Sequence, residues 1–242
     1  TNIMAFADDP DIATSLEEAQ AASFEVIAYA MALAAEQRKN PTSTAVQALL
    51  NGEVEGEKMS EELFAWMFIL IMVGGNESTR TAIAHGMRLL MENPKQLQYL
   101  VDHPEDISQA VEEMLRYNMA FIAMRRTATQ DVEWNGHNIK KGDKAIFHYH
   151  AVNHDEVAFG DDAMVFDIHR HKRIPNSRGE IRSFGVGEHL CLGMSLARLE
   201  MNIMFEEIIP RLRNAKLAGD TTYMRSYFIN TIKAMPITFD PQ

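Results

Sequence analysis

The sequence holds one cysteine, Cys191. An internal disulfide is therefore excluded, and the thiol count gives no sign of an oxidising compartment. Positive charge is also scarce. The 23 Lys and Arg stand against 34 Asp and Glu, a formal charge of −11 with a pI near 5.3. Neutralising phosphates takes a basic face, so this balance argues against a nucleic-acid binder. Long apolar runs are missing as well: the longest, LFAWMFILIMVGG at residues 63–75, falls short of the roughly 20 residues a bilayer crossing needs and reads as a buried helix. No signal-peptide pattern opens the chain, and the cytoplasm is the expected location. There is no internal repeat and no low-complexity segment. What is present is 46% hydrophobic content, enough for a sizeable core in one or two domains.

The first half reads as helical. Residues 15–38, rich in Ala, Glu and Leu, predict a helix, and AVQALLNG predicts a shorter one. Ser60 before Glu61 and Glu62 is a good N-cap for a long helix running to Pro94, which suits the first turn of the next helix with Asn93 as its cap. Pro104 opens PEDISQAVEEMLRYN in the same way. From about residue 121 short strand-like runs take over: RRTATQ, VEW, the turn pair Asn135-Gly136, NIK, the turn KGD and KAIFHY. Helical spacing returns after Cys191 to about Arg213, with Leu192, Leu196, Leu199 and Ile203 predicted as its buried face, and YFINTIKAMPITF reads as strand again. The fold class is mainly α with small β-sheets (α+β).

The lone thiol sits in SFGVGEHLCLGMSLARLE, residues 183–200. A small core residue is the plainest reading of a single cysteine. The glycines around it evoke a phosphate loop, but Walker spacing and its lysine are absent. A Cys–His nucleophile lacks an orienting third group. Zinc from His148, His150, His169, His171 and Cys191 matches no closed zinc spacing. A fourth reading is a haem-thiolate loop, in which a helix N-terminus favours the thiolate and glycines let backbone approach a macrocycle.

Four motifs carry a resemblance. FGVGEHLCLG places Phe184, Gly185, Gly187, His189, Cys191 and Gly193; VEEMLRYN holds Glu113 and Arg116, with Arg170 in FDIHRHK; GGNEST spans residues 74–79; and Arg126 lies in RRTATQDVEWNG. This set resembles the cytochrome P-450 family. The resemblance implies that fold, incomplete at its N-terminus, with residues 1–242 the C-terminal portion of one domain: helical 1–118, β-rich 119–150, cysteine loop 183–193, helix 192–213 and β tail 223–240. A start at Thr1 within the loop-like TNIMAFADDPD fits the same expectation of a fragment.

It further implies haem b with Cys191 as the metal ligand, Arg126 and His189 on its propionates, and Glu113, Arg116 and Arg170 as a structural ion cluster supporting the cysteine loop. Arg125 is adjacent, and strand alternation sends only one of the two arginines to the haem. Glu77, Ser78 and Thr79 are the expected catalytic proton relay, with Ser78 where Thr is common in the family. Val73, Gly74, Ala120, Phe121, Ile122 and Phe228 are expected to line a substrate pocket.

The implied activity is a monooxygenase that places one atom of dioxygen into a hydrophobic substrate, a terpenoid, steroid or aliphatic chain, with electrons from NAD(P)H through redox partners. A ferredoxin and its reductase are the expected partners, docking near the five Lys and Arg of HRHKRIPNSRGEIR. The competing class is a non-catalytic haem-thiolate sensor or an inactive fragment; the acid and hydroxyl of Glu77 and Ser78 favour oxygen activation.

Overall fold

The computed structural model describes residues 9–12, 15–54 and 56–240, so the first eight residues of the loop-like opening lie outside it. The chain divides into two compact units, the first reaching to Glu77 and the second starting at Ser78.

In the first unit, helix α1 (Leu16–Lys39) begins where Ser15 Oγ accepts from Glu18 N, with acids in its first turn and Arg38 and Lys39 in its last. This polarity suits the helix dipole. Helix α2 (Thr44–Leu50) follows, capped by Ser43. Gln37 secures the turn between them: its Nε2 donates to Thr42 Oγ1 (2.8 Å), while its Oε1 accepts from Ser43 N (2.9 Å). A short hairpin, β1 (Glu53–Val54) with β2 (Glu57–Lys58), interrupts the stretch read as wholly helical. Helix α3 (Glu61–Glu92) then starts at Ser60, whose Oγ accepts from Leu63 N at 3.1 Å.

Ala30, Ala34, Leu50, Phe64 and Ala65 form this unit's core. The expectation of a buried helix over residues 63–75 needs correcting, because Trp66 and Leu70 are 54% and 65% exposed. Among the described residues, Phe64, Ala65, Met67 and Phe68 share this cluster with α1 and α2, and a run apolar on all sides leaves other faces outside it.

In the second unit, the later turns of α3 pack with α4 (Pro94–Asp102), α5 (Ile107–Tyr117) and, further along, α10 (Met194–Arg211). Asn93 does not cap α4 with its side chain, which donates back to Leu89 O instead. Pro104 opens a 3-10 turn, Pro104–Asp106, and the α-helix proper begins at Ile107. Gly86 sits where these helices pack tightly: a Cβ there would lie 2.7 Å from both Met114 Sδ and Phe205 Cζ.

Among the described residues five two-stranded sheets supply the β content. Strand β3 (Ala123–Thr127) pairs antiparallel with β6 (Lys144–His148), and β4 (Val132–Trp134) with β5 (His137–Ile139). The β4–β5 turn has φ of 49° at Asn135 and 80° at Gly136, both in the left-handed region that Asn-Gly tolerates. Short helices α6 (Tyr149–Asn153), α7 (Glu156–Phe159), α8 (Arg170–Arg173) and α9 (Ser177–Glu180) lead to the cysteine loop. The tail carries β7 (Arg213–Leu217), β8 (Thr222–Tyr223), β9 (Ile232–Ala234) and β10 (Ile237–Asp240), in the pairs β7–β10 and β8–β9. Residues 227–231, read as strand, contribute one isolated bridge, Phe121 to Ile229.

Two expectations for α10 are overturned. The helix runs from Met194 to Arg211, not 192–213: the preceding backbone closes the loop, with Cys191 N on Phe184 O, and Arg213 joins β7. Its buried face is Met201, Phe205 and Ile209, whereas Leu192, before the helix, and Leu196, Leu199 and Ile203 on it are all about half exposed or more. The i, i+4, i+8 stripe of Met201, Phe205 and Ile209 fits against Met114 and Leu90 and wins the core; the alternative stripe is left outside.

Candidate functional site

The second unit is organised around the carboxylate of Glu113, which is 5% exposed at the middle of α5. Its Oε2 accepts from Arg116 Nε (2.7 Å), and its Oε1 accepts from Arg116 Nη2 (2.7 Å), Asp167 N (3.0 Å) and Arg170 Nε (3.3 Å). Arg116 uses its remaining donors on three carbonyls: Nη1 on Asn153 O and Ala163 O (2.7 and 2.8 Å), Nη2 on Val165 O (3.0 Å). Arg170 does the same, with Nη1 on Phe159 O and Asp162 Oδ1, and Nη2 on Asp162 O and Val165 O. Both guanidiniums are fully buried and fully hydrogen-bonded. A buried charge is tolerated only on such terms.

From this cluster a chain of hydrogen bonds reaches the cysteine loop. Asn153, itself buried, donates from Nδ2 to Arg116 O (3.1 Å) and Ser183 Oγ (2.8 Å), and its Oδ1 accepts from Arg182 N (2.8 Å). Ser183 Oγ donates to Leu115 O at 2.5 Å. A second brace comes from α5: Glu112 takes both arms of the Arg198 fork (2.7 and 2.9 Å), and Arg198 Cζ lies 4.7 Å from the centroid of the Phe184 ring. Phe184 O in turn accepts from Cys191 N at 2.9 Å. Gly185 and Gly187 bend the loop with φ of 74° and 67°, and a Cβ on Gly185 would meet His189 O at 3.3 Å. Neither position suits a side chain.

Cys191 is a free thiol on this loop, and every residue from Val186 to Gly193 is exposed, including Val186, Leu190 and Leu192. Strand β3 places Arg125 opposite Ile146 and Arg126 opposite Ala145; Arg125 is exposed and Arg126 half-buried. Among the described residues Arg126 pairs with no carboxylate. Its Nη1 donates to Arg125 O (3.1 Å), and its guanidinium lies 5.9 Å from the Phe147 ring. An accessible thiol, an exposed apolar skin around it and an arginine lacking an acid are together the donor chemistry an iron macrocycle with carboxylate arms requires, so these residues fit a haem.

Of the relay residues, Glu77 and Thr79 are buried and Ser78 half-buried. A Cβ on Gly74 or Gly75 would meet nothing within 4 Å. The pocket candidates after α5 are brought together with the tail: Ile122 N donates to Phe228 O (3.0 Å), Asn230 N donates to Ala120 O (2.8 Å), and the Phe121 and Phe228 rings sit 5.0 Å apart. Val73 and Gly74 belong to the first unit and are half-buried there.

The basic loop is less free than its composition implies. Lys172 Nζ donates to Asp106 and Tyr99 (both 3.2 Å), Arg173 Nη2 to Asp162 and Asp167, and Arg178 pairs with Glu112. The acids come from other segments, which a local charge count does not see.

Several residues were not singled out from sequence. His85 is 1% exposed, and burial pushes its pKa down to about 4. His154 is also buried and stacked 4.1 Å from His150, and burial lowers it to about 4 as well. Glu112 and Arg198 were likewise missed; two adjacent glutamates in a helix give no hint that both are buried. Among the described residues no group of three His, Cys, Asp or Glu is placed to hold a metal ion.

The loop thus presents an exposed thiol at a helix entrance and is braced by a buried ion cluster. Comparison with known proteins identifies the family. The family model for cytochrome P-450 matches residues 107–225. A methyl-branched lipid omega-hydroxylase of Mycobacterium tuberculosis is 36% identical over 99% of this chain and 55% of its own length. A steroid C26-monooxygenase of Mycolicibacterium smegmatis is 35% identical over 99% of this chain and 54% of its own. Among solved structures, P450BioI in complex with an acyl carrier protein carrying hexadec-9Z-enoic acid aligns with a TM-score of 0.83 and 32% identity, covering 93% of this chain and 56% of that one. The chain belongs to the cytochrome P-450 family, whose members carry a haem on a cysteine thiolate. It spans about half the length of the curated relatives it matches.

Proposed function

We propose that the protein is a haem-thiolate monooxygenase acting on a hydrophobic substrate, with a lipid chain or a steroid favoured over a terpenoid. The observation that carries this reading is the exposed Cys191 thiol on a loop tied through Phe184, Ser183 and Asn153 to the Glu113 cluster. Support for the substrate class comes from relatives that act on methyl-branched lipids and steroids.

When bound, the haem supplies the activation of dioxygen from which one oxygen atom enters the substrate. Cys191 Sγ would be its iron ligand, in an orientation set by the Phe184 carbonyl and the entrance of α10. Arg126 and His189 would hold the propionates; Arg126, with no carboxylate of its own among the described residues, gives up no ion pair to do so. Gly74 and Gly75 leave side-chain space open on α3. Glu77 brings a buried carboxyl and Ser78 a hydroxyl, the two group types a proton relay to bound dioxygen would use. Thr79, one residue further and about 100° round the helix, is the second hydroxyl candidate. Ala120, Phe121, Ile122 and Phe228 would contact the substrate and exclude water.

Electrons would come from NAD(P)H through a ferredoxin and its reductase. Lys172 is the docking candidate least disturbed by replacement, being half exposed and, among the described residues, tied to Asp106 and Tyr99. Lys172→Ala should slow electron transfer most at low salt; rates equal to the parent at every ionic strength would remove that surface from consideration.

The test of the whole reading is the carbon monoxide spectrum of the reduced, haem-loaded protein expressed from its natural reading frame, beside Cys191→Ser. A strongly red-shifted band that the variant lacks establishes thiolate ligation. A haem-loaded parent without that band refutes the ligand assignment.

A further inference from the structure

A closed ring of hydrogen bonds joins α3, the end of α5 and the tail. Asn230 Nδ2 donates to Asn118 Oδ1 (3.1 Å), Asn118 Nδ2 lies 2.7 Å from His85 Nδ1, and His85 Nε2 lies 2.6 Å from Asn230 O. The direction of each bond is forced. Since the Asn118 oxygen already accepts, its amide nitrogen must donate to Nδ1, and the imidazole proton is left on Nε2 for the Asn230 carbonyl. Only neutral imidazole satisfies both neighbours, and burial keeps His85 in that form. One helical turn earlier, Thr81 Oγ1 and Thr231 Oγ1 share a buried 2.6 Å bond. His85, Asn118, Thr81 and Thr231 are all buried.

These bonds flank the place where residues 120–122 and 228–230 pair. That pairing consists of two backbone hydrogen bonds, one bridge and one ring contact. A patch this short does not hold its own register in water. Its position is therefore set by what anchors both ends, and the ring does so from Asn118, two residues before Ala120, and from Asn230, two residues after Phe228. A His and a Thr inside a helix are not chosen for helix propensity, and an apolar pair would fill the same space. What polar partners add is a single allowed geometry.

We propose that His85, Asn118 and Asn230 are positioning residues for substrate, fixing the Phe121–Phe228 aromatic pair on α3 and thereby setting how deep an elongated apolar substrate enters. The proposal rests on the reading that Phe121 and Phe228 face the substrate. His85 touches no substrate itself; it acts through the paired segments.

The experiment uses the haem-loaded protein from its natural reading frame, with hydrogen–deuterium exchange as one readout. The other is the affinity of two haem-ligating probes, imidazole and 1-dodecylimidazole. In His85→Phe the amides of Ile122 and Asn230 should exchange at least about tenfold faster, and dodecylimidazole should bind about tenfold more weakly while imidazole is unchanged. His85→Gln, which keeps a donor and an acceptor, should restore both. Asn230→Ala, which removes one bond and spares the backbone, should give the same pattern more weakly if His85→Phe does not fold.

Unchanged exchange at Ile122 and Asn230 would overturn the anchoring role. Faster exchange with unchanged dodecylimidazole affinity would overturn the link to substrate. Phe121→Ala separates the two readings: if it too leaves dodecylimidazole binding unchanged, the pocket assignment fails; if it weakens binding while His85→Phe does not, the positioning role alone fails.

Discussion

Replacing Arg116 by lysine keeps the charge and removes the fork. Arg116 directs five donor hydrogens at five acceptors: both oxygens of Glu113 and the carbonyls of Asn153, Ala163 and Val165. A lysine ammonium has three donors, so at least two acceptors lose this partner. Val165 O keeps Arg170 Nη2 at 2.7 Å, and Ala163 O and Asn153 O are then the carbonyls most exposed to loss. Each buried group left unsatisfied costs about 1–3 kcal/mol, so Arg116→Lys should destabilise by about 3 kcal/mol, within the range for breaking a buried pair. With a urea m-value of about 2 kcal/mol/M the midpoint should fall by about 1.5 M. The assay is urea denaturation followed by circular dichroism on the haem-loaded protein, with Arg211→Lys as control. Arg211 pairs with Glu207 on the surface of α10, both more than half exposed, and its replacement should change stability by less than about 0.5 kcal/mol. If Arg116→Lys matches that control, charge alone holds the cluster and the count of donors is the wrong measure.

Acidification from pH 7 to 5 should destabilise the second unit. His85 and His154 are held near 4 when folded and return to about 6.5 when unfolded, so the unfolded state binds more protons in that window. Stability is therefore full above about pH 6.5 and falls until about pH 4, by about 2 kcal/mol per histidine at pH 5; His85→Gln should remove one of the two contributions in urea titrations at the two pH values. Gly86→Ala should cost about 1–2 kcal/mol, since its methyl strikes Met114 and Phe205, while Gly75→Ala, with open space at its Cβ, should gain up to about 1 kcal/mol in the same assay. Glu77→Gln should leave haem loading unchanged and impair substrate oxidation, as product formation per NAD(P)H consumed will report; parent-like turnover would remove Glu77 from the relay.

Local chemistry was readable from the sequence. The serine cap of α3 and the positive φ values of Asn135 and Gly136 each depend on a few adjacent residues. The P-450 architecture was readable too, because the motif around Cys191 and the Glu113–Arg116 spacing are specific in order and distance. The buried face of α10 was not. Two apolar stripes run along that helix, and hydropathy does not rank them; the shape of the groove between α3 and α5 selects Met201, Phe205 and Ile209. Nor were the partners of polar side chains, which come from afar: the carbonyls that saturate Arg116 lie at 153, 163 and 165, and His85 meets residues 118 and 230.

Both polar assemblies of the second unit are anchored on α5. Glu113 and Arg116 hold the cysteine loop through Asn153 and Ser183, and Asn118, the residue that ends α5, holds the paired aromatic segments through His85 and Asn230. An 11-residue helix thus sets the separation between the thiol and the aromatic pair, and its own position is set by Val111 and Met114 in the main core. If that helix is rigid, the two assemblies are energetically independent although they attach within two residues of one another. Arg116→Lys and His85→Phe should then add to within about 0.5 kcal/mol in urea denaturation, as separate networks do. A coupling above about 1 kcal/mol would mean that loss of one network lets α5 shift and loosens the other, and the thiol and the aromatic pair would have to be treated as one deformable unit.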